Sequence, residues 1–395
     1  MRKQTKPQRW QKTFVISLFS TLMLNSYLGM FLVYPIYLQI VGINPLQIGI
    51  LMSLFYVANL VIRPTGSIIL ERFSIRKASL LTSFFIIVSS IGLALTTDSK
   101  IIAFLRLLSG LGYGIGTVFL TAYQSLIVPE RVRGGSFAWI SVCYVSPQLF
   151  FVPIASYFIK SGLYKAYLLM FLAFSILFFL VSLFLKEVKD IELEENKLSE
   201  NIVWGTYREL FKIRGIFTYI ISILTFSIIN GTILMYASSL LYEKGLNPSF
   251  FLSINASVAL IIRILGNKVL NRLNRYRWLG ISLLLMTIST FLMGKASTKF
   301  HFLLLSITYG SGMAISFPFL LAIASDITPV KLRPKASAVA WITMDLGYVL
   351  APIIVGATSS LRDISFSFQT ISLISLPSTL LISFLWKKFL KEKLY

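Results

Sequence analysis

Twelve apolar stretches, each about the length that crosses a bilayer core of roughly 30 Å, recur along this chain of 395 residues, with short polar breaks between them except after the sixth. They fall near 13–38, 46–70, 78–97, 101–128, 136–159 and 164–185, then near 216–240, 248–270, 278–294, 300–325, 336–359 and 366–386. A chain with 56% hydrophobic residues, 13% charged residues and a mean hydropathy of +0.79 has more apolar surface than a water-soluble core can bury. The stretches therefore predict membrane-spanning helices, and the expected fold is all-α.

A formal charge of +22 would suit a nucleic-acid partner, but the basic residues sit in short clusters between apolar runs, and no soluble segment is long enough to carry a basic face. Of the 37 lysines and arginines, 27 fall on the side of both predicted termini, 7 on the other and 3 inside spans. The positive-inside rule then predicts a multi-pass protein of the cell membrane with both termini in the cytoplasm. The basic start MRKQTKPQRWQK reads as the flank of an uncleaved first span.

Reactive chemistry is sparse. Cys143 is the single cysteine and His301 the single histidine, the latter expected in a short loop, so no disulfide and no histidine metal site is expected. Neither a nucleophile elbow nor a phosphate-binding glycine loop occurs, which predicts no enzyme, no cofactor and no metal.

The chain repeats itself. IVPERVR at 127–133 returns as ITPVKLR at 327–333, LVIRPTG at 60–66 as LIIRILG at 260–266, and GINP at 42–45 as GLNP at 245–248. At an offset of 200, Gly110 and Gly112 match Gly310 and Gly312, and Arg72 matches Arg272. Two six-span halves in the same orientation follow, with expected bounds 1–190 and 214–395 and a linker at 191–213. The hydrophilic segment around that linker holds seven of the fifteen acidic residues and suggests a surface helix. Parallel repeats place a solute site between the halves near mid-membrane.

With these features the chain resembles the major facilitator superfamily over essentially its whole length. RPTGSIILERFSIRK (63–77) is similar to that superfamily's signature between its second and third helices, with Glu71 in the place of the usual Asp and Arg72, Arg76 and Lys77 at the basic positions. RLLSGLGYG (106–114) is similar to the fourth-helix signature of an arginine followed by spaced glycines, while VPIAS (152–156) keeps only the proline of the fifth-helix motif of drug and metabolite antiporters. The resemblance implies a secondary active transporter whose partners are a small molecule, protons and the lipid bilayer. Its antiporter branch is the nearest likeness, and a monomer is expected. It also implies that Glu71, Arg72 and Arg76 latch the cytoplasmic face.

Inside the spans, Asp345 in AWITMDLGYVLAP is the one carboxylate far from a helix end, which makes it the expected proton carrier. Arg106 should face a watery cavity or pair with an acid or an anionic ligand, although its repeat partner is Ser306. Arg63 and Arg263 take equivalent places, either lining a cavity or snorkelling. Asn25, Tyr34, Asn59, Gln124, Asn230 and Tyr348 are the expected solute ligands, with Tyr56, Gln148, Tyr236 and Asn255 as further donors and acceptors. Pro153 and Pro352 remove backbone donors and are expected flexing points. The expected function is proton-coupled export of a small metabolite or drug, with an anionic or zwitterionic metallophore or opine-like solute suiting a basic interior. A nutrient importer and a membrane sensor or scaffold are the alternatives.

Overall fold

A computed structural model describes residues 9–65, 74–128, 133–186, 205–265 and 273–393. Every regular element among them is helical. The first group comprises α1 (Arg9–Met30), α2 (Tyr34–Ile40), α3 (Pro45–Ile62), α4 (Ile75–Leu95), α5 (Ser99–Ile127), α6 (Arg133–Lys160) and α7 (Tyr164–Ser182). After the short α8 (Tyr207–Phe211) come α9 (Ile216–Glu243), α10 (Phe250–Leu265), α11 (Arg275–Lys295), α12 (Lys299–Ile327), α13 (Arg333–Leu361) and α14 (Ile364–Lys393). Eleven of the spans are long and apolar enough to cross a membrane, and the described part of α10 adds a shorter apolar helix of 16 residues.

The helix starts repeat the chemistry seen in the sequence. Ser74 and Asn274, 200 residues apart, cap α4 and α11 by accepting from the backbone N–H of Lys77 and Arg277. Asp98 and Thr298, again 200 apart, cap α5 and α12. That cap brings His301 into the first turn of α12 rather than the loop expected for it. In the two Gly-x-Asn-Pro turns, Gly42 and Gly245 both take positive φ, of 87° and 71°. Asn44 and Asn247 each accept a backbone N–H just beyond.

The first span is broken. Pro35 has no N–H to offer Phe31 and its ring would meet that residue's carbonyl, so the helix stops and restarts across 31–33. The Met30 carbonyl released by the break accepts instead from the Tyr167 hydroxyl at 2.7 Å.

By packing, one compact unit takes its described residues from 1–31 and 61–201, the other from 32–60 and 202–395. In the first unit α1 packs on α5, α6 and α7, and α4 packs on α5 and α7. In the second, α9 packs on α12, α13 and α14, and α11 packs on α12 and α14. These are the same pairings one repeat later. Gly112 and Gly312 hold corresponding contacts: a Cβ on Gly112 would lie 3.2 Å from the Thr82 carbonyl, and one on Gly312 2.8 Å from that of Ser282.

Segment 32–60 joins the second unit through α2 on α9 and through a crossing of α3 on α13. A Cβ on Gly49 would collide with the Pro352 carbonyl oxygen and lie 3.0 Å from Gly356 Cα. Only glycine at both places lets the backbones touch.

In the linker, residues 187–204 lie outside the described residues, and α8 supplies a one-turn helix in its last part. Thr206 and Glu209 form a reciprocal capping box. The segment is bound to the turn before α13: Gly205 N–H donates to the Lys331 carbonyl at 3.2 Å, and Lys331 Nζ donates to Glu209 Oε2 at 2.8 Å. Lys335 Nζ stands 5.5 Å from the Tyr207 ring centroid. Lys331 first, and then the Thr206 backbone and hydroxyl, hold the Glu209 carboxyl below the usual carboxylate range.

Candidate functional site

The first unit encloses its arginine. Arg106, on α5, is 1% exposed, with its guanidinium carbon 3.9 Å from the centroid of the Phe31 ring. Phe31 stands beside Tyr27 and Phe171 at centroid distances of 5.4 and 4.6 Å, so the charge lies against an aromatic nest made where α1 ends. Asn25 accepts at Oδ1 from the Tyr113 hydroxyl at 3.0 Å and donates from Nδ2 to the Thr21 carbonyl at 2.8 Å. Gln124 donates to Thr21 Oγ1 at 2.9 Å and to Ser17. These polar groups therefore bind α5 to α1.

Arg76 is exposed in the first turn of α4, and Arg63 opens the 3₁₀ turn that follows α3. Glu71 and Arg72 of the expected latch lie outside the described residues. Pro153 sits within α6, where Pro147 is a second, unexpected proline, and Gln148 on the same helix is half-buried.

In the second unit Asn230, on α9, is the hub. It accepts from the Tyr309 hydroxyl of α12 at 3.0 Å and donates to the Tyr348 hydroxyl of α13 at 2.9 Å. The Tyr348 ring meets Tyr56 of α3 at 5.1 Å. Gly231 makes room for this, because a Cβ there would come within 2.9 Å of Tyr348. Three residues before Tyr348 on α13 stands Asp345, 1% exposed. Asn59 of α3 is equally buried, and neither atom of its amide is hydrogen-bonded to a described residue. Asn255 Oδ1 is likewise unbonded, as are Nε and Nη2 of Arg263, whose guanidinium lies 5.6 Å from the Phe317 ring. Tyr34 stacks on Tyr37 at the start of α2, Tyr236 is buried on α9, and Pro352 forms the floor of the Gly49 crossing.

Two features were not expected. Tyr309 joins the Asn230 hub, and a crevice of about 230 Å³ opens where Gln39, Glu243, Arg362 and Asp363 meet at the far end of α9 and α13. Gln39 donates to Glu243 there at 3.5 Å. Among the described residues no cluster of histidine, cysteine or acidic side chains could hold a metal ion.

The family model of the Major Facilitator Superfamily matches residues 14–279 and 249–393. A comparison with curated proteins finds no match. Among solved structures, an inward-open xylose transporter, XylE from E. coli, is similar at 17% identity and a TM-score of 0.75, covering 94% of this chain and 95% of its own. A nucleoside transporter, NupG, is similar at 15% identity and a TM-score of 0.74, covering 96% of this chain and 99% of its own. A POT family transporter in complex with a thioalcohol-conjugated peptide is similar at 16% identity and a TM-score of 0.77, covering 96% of each chain.

Proposed function

Because the chain belongs to the Major Facilitator Superfamily and is a multi-pass membrane transporter, we propose that it is a proton-coupled exporter of a small anionic or zwitterionic metabolite, with Asp345 as its proton carrier. One observation carries this reading: a carboxylate 1% exposed in the interior of α13, three residues from Tyr348 in a polar network that joins three helices of its unit. A buried carboxyl that is dry in one state and wet or hydrogen-bonded in another changes its proton affinity by units, which is what coupling requires.

Asn230 and Tyr348, backed by Tyr309, present hydroxyl and amide groups that a polar solute could bind in exchange for one another, and Asn25, Tyr34, Asn59 and Gln124 are the further ligands. Arg106, Arg63 and Arg263 make the interior of the spans basic against one Asp345, which favours a solute bearing an anionic group. Transport would proceed by rocking of 1–190 against 214–395, with cytoplasmic termini, flexing at Pro153 and Pro352, a latch at Glu71, Arg72 and Arg76, and a monomer as the working unit.

The test is untargeted profiling of metabolites and metals in cells and medium of a deletion strain, complemented with wild type or with Asp345→Asn. Export by this route predicts a compound retained in deleted cells and returned to the medium by wild type alone. Depletion of a compound inside deleted cells would make the protein an importer, and release restored by Asp345→Asn would remove Asp345 from the mechanism.

A further inference from the structure

The crossing of α3 and α13 sets a register. The helices run antiparallel, touching backbone to backbone where Gly49 lies on Pro352 and Gly356 lies on the Pro45 carbonyl. Two turns along α3 from Gly49 and one turn back along α13 from Pro352, Tyr56 meets Tyr348 with ring centroids 5.1 Å apart. In a helix, residues three apart share a face. Three residues on from Tyr56, on the same face of α3, comes Asn59, and three residues back from Tyr348, on the same face of α13, comes Asp345.

Asn59 is 1% exposed and neither its Nδ2 nor its Oδ1 is hydrogen-bonded to a described residue. A buried amide left without partners destabilises the state that holds it, so its retention calls for a state in which it is used. Tyr348, three residues from Asp345 on α13, meets Tyr56 of α3, Tyr309 stands on α12, and Arg63 comes four residues after Asn59 in the 3₁₀ turn that follows α3. Between Ile216 and Tyr242 the α9 sequence has no acidic or basic residue, α12 carries them only at its ends, and α14 has none before Lys387. Lys331, Arg208 and Glu209, near the start of α13, lie more than three helical turns from Asp345.

We infer that Asn59 is a positioning residue for proton coupling: in one conformation of the cycle its Nδ2 donates to the ionised Asp345 carboxylate and holds it charged. The inference rests on the reading of Asp345 as the proton carrier. Loss of the donor would make Asp345 a weaker acid, with its protonation midpoint raised by about one pH unit, a tenfold change in proton affinity.

The experiment needs no substrate. Protein reconstituted in lipid nanodiscs is titrated while the infrared C=O stretch of protonated carboxyl groups is followed, in wild type, Asp345→Asn, Asn59→Leu and Asn59→Ser. Asn59→Ala, which removes the amide without adding bulk, replaces the leucine variant if that one does not reconstitute. Support is a titrating band that Asp345→Asn deletes, whose midpoint rises about one pH unit in Asn59→Leu and returns toward wild type in Asn59→Ser, which keeps a donor. A band deleted by Asp345→Asn but unmoved in Asn59→Leu overturns the inference and leaves Asp345 standing. A wild-type spectrum from which Asp345→Asn removes nothing overturns the reading of Asp345, and this inference with it.

Discussion

The two compact units contain the same asparagine–tyrosine pair, and differ in where it leads. Asn25 on α1 accepts from Tyr113 of α5 at 3.0 Å, and Asn230 on α9 accepts from Tyr309 of α12 at the same distance. In the first unit the remaining amide hydrogen returns to the helix that carries it, at the Thr21 carbonyl. In the second it crosses to Tyr348 on α13, and through the Tyr348 ring touches Tyr56 of α3. The first arrangement is a fastening between two helices. The second links three helices by hydrogen bonds and a fourth by ring contact, three residues from Asp345, the one buried carboxylate in the interior of a span among the described residues. The two arrangements differ, with no change of fold, in the destination of one amide N–H.

The largest expected effect breaks the network at its hub. Asn230→Leu removes two interhelical hydrogen bonds, with Tyr309 and with Tyr348, whereas Asn25→Leu removes one, with Tyr113, since its other bond goes to the Thr21 carbonyl of its own helix. At roughly 0.6 to 1.7 kcal/mol for each interhelical hydrogen bond in a membrane protein, the Asn230 variant should lose about twice as much stability, and should also lose transport. Thermal unfolding of both variants in one detergent measures this, and equal losses would mean the two pairs are equivalent fastenings.

A smaller effect sharpens the packing side of the comparison. In Gly312→Ala the new methyl meets the Ser282 carbonyl at 2.8 Å, backbone that moves only with its helix, while in Gly112→Ala the carbonyl is at 3.2 Å and the nearest atoms are Phe85 Cβ and Ile86 Cγ2 at 2.9 Å. Overpacking of this kind costs about 1 to 3 kcal/mol. The same unfolding assay should place Gly312→Ala at the upper end and Gly112→Ala at the lower.

Much of this was legible in the sequence. The spans were placed, because an apolar run is a one-dimensional signal, although α3 ends at Ile62 where the stretch was read to 70 and α14 runs to Lys393 rather than 386, and the offset of 200 reappears in caps and glycine contacts. What was missed depends on contacts between distant segments. Tyr309 looks like any aromatic in an apolar run until its hydroxyl is seen on Asn230. Gly49 and Gly356 lie 307 positions apart, and neither signals a crossing alone. The break at 31–33 could have been suspected from Pro35, but the acceptance by the Met30 carbonyl of the Tyr167 hydroxyl could not. Arg106 was expected to face a watery cavity or pair with an acid or an anionic ligand, and its stacking on Phe31, which rests on that same break, was not foreseen.

The smallest expected effect concerns the tie between linker and α13. Only the second unit has it among the described residues: Glu209, in the segment just before α9, binds Lys331 in the turn before α13. Because Lys331 and Thr206 lower the folded-state pKa of Glu209 below its unfolded value, the carboxylate supports the folded arrangement above that unfolded value and ceases to as pH falls through the lowered one. The tie is therefore complete at neutral pH and absent in strong acid. Both partners are solvent-accessible, so salt should weaken it as acid does. Hydrogen exchange of the backbone N–H groups of 205–211 should quicken in Glu209→Gln at neutral pH and in high salt, while exchange in α9 stays unchanged. Exchange in 205–211 as slow in Glu209→Gln as in wild type would assign the docking of α8 to the Gly205 backbone bond and Leu332 packing alone.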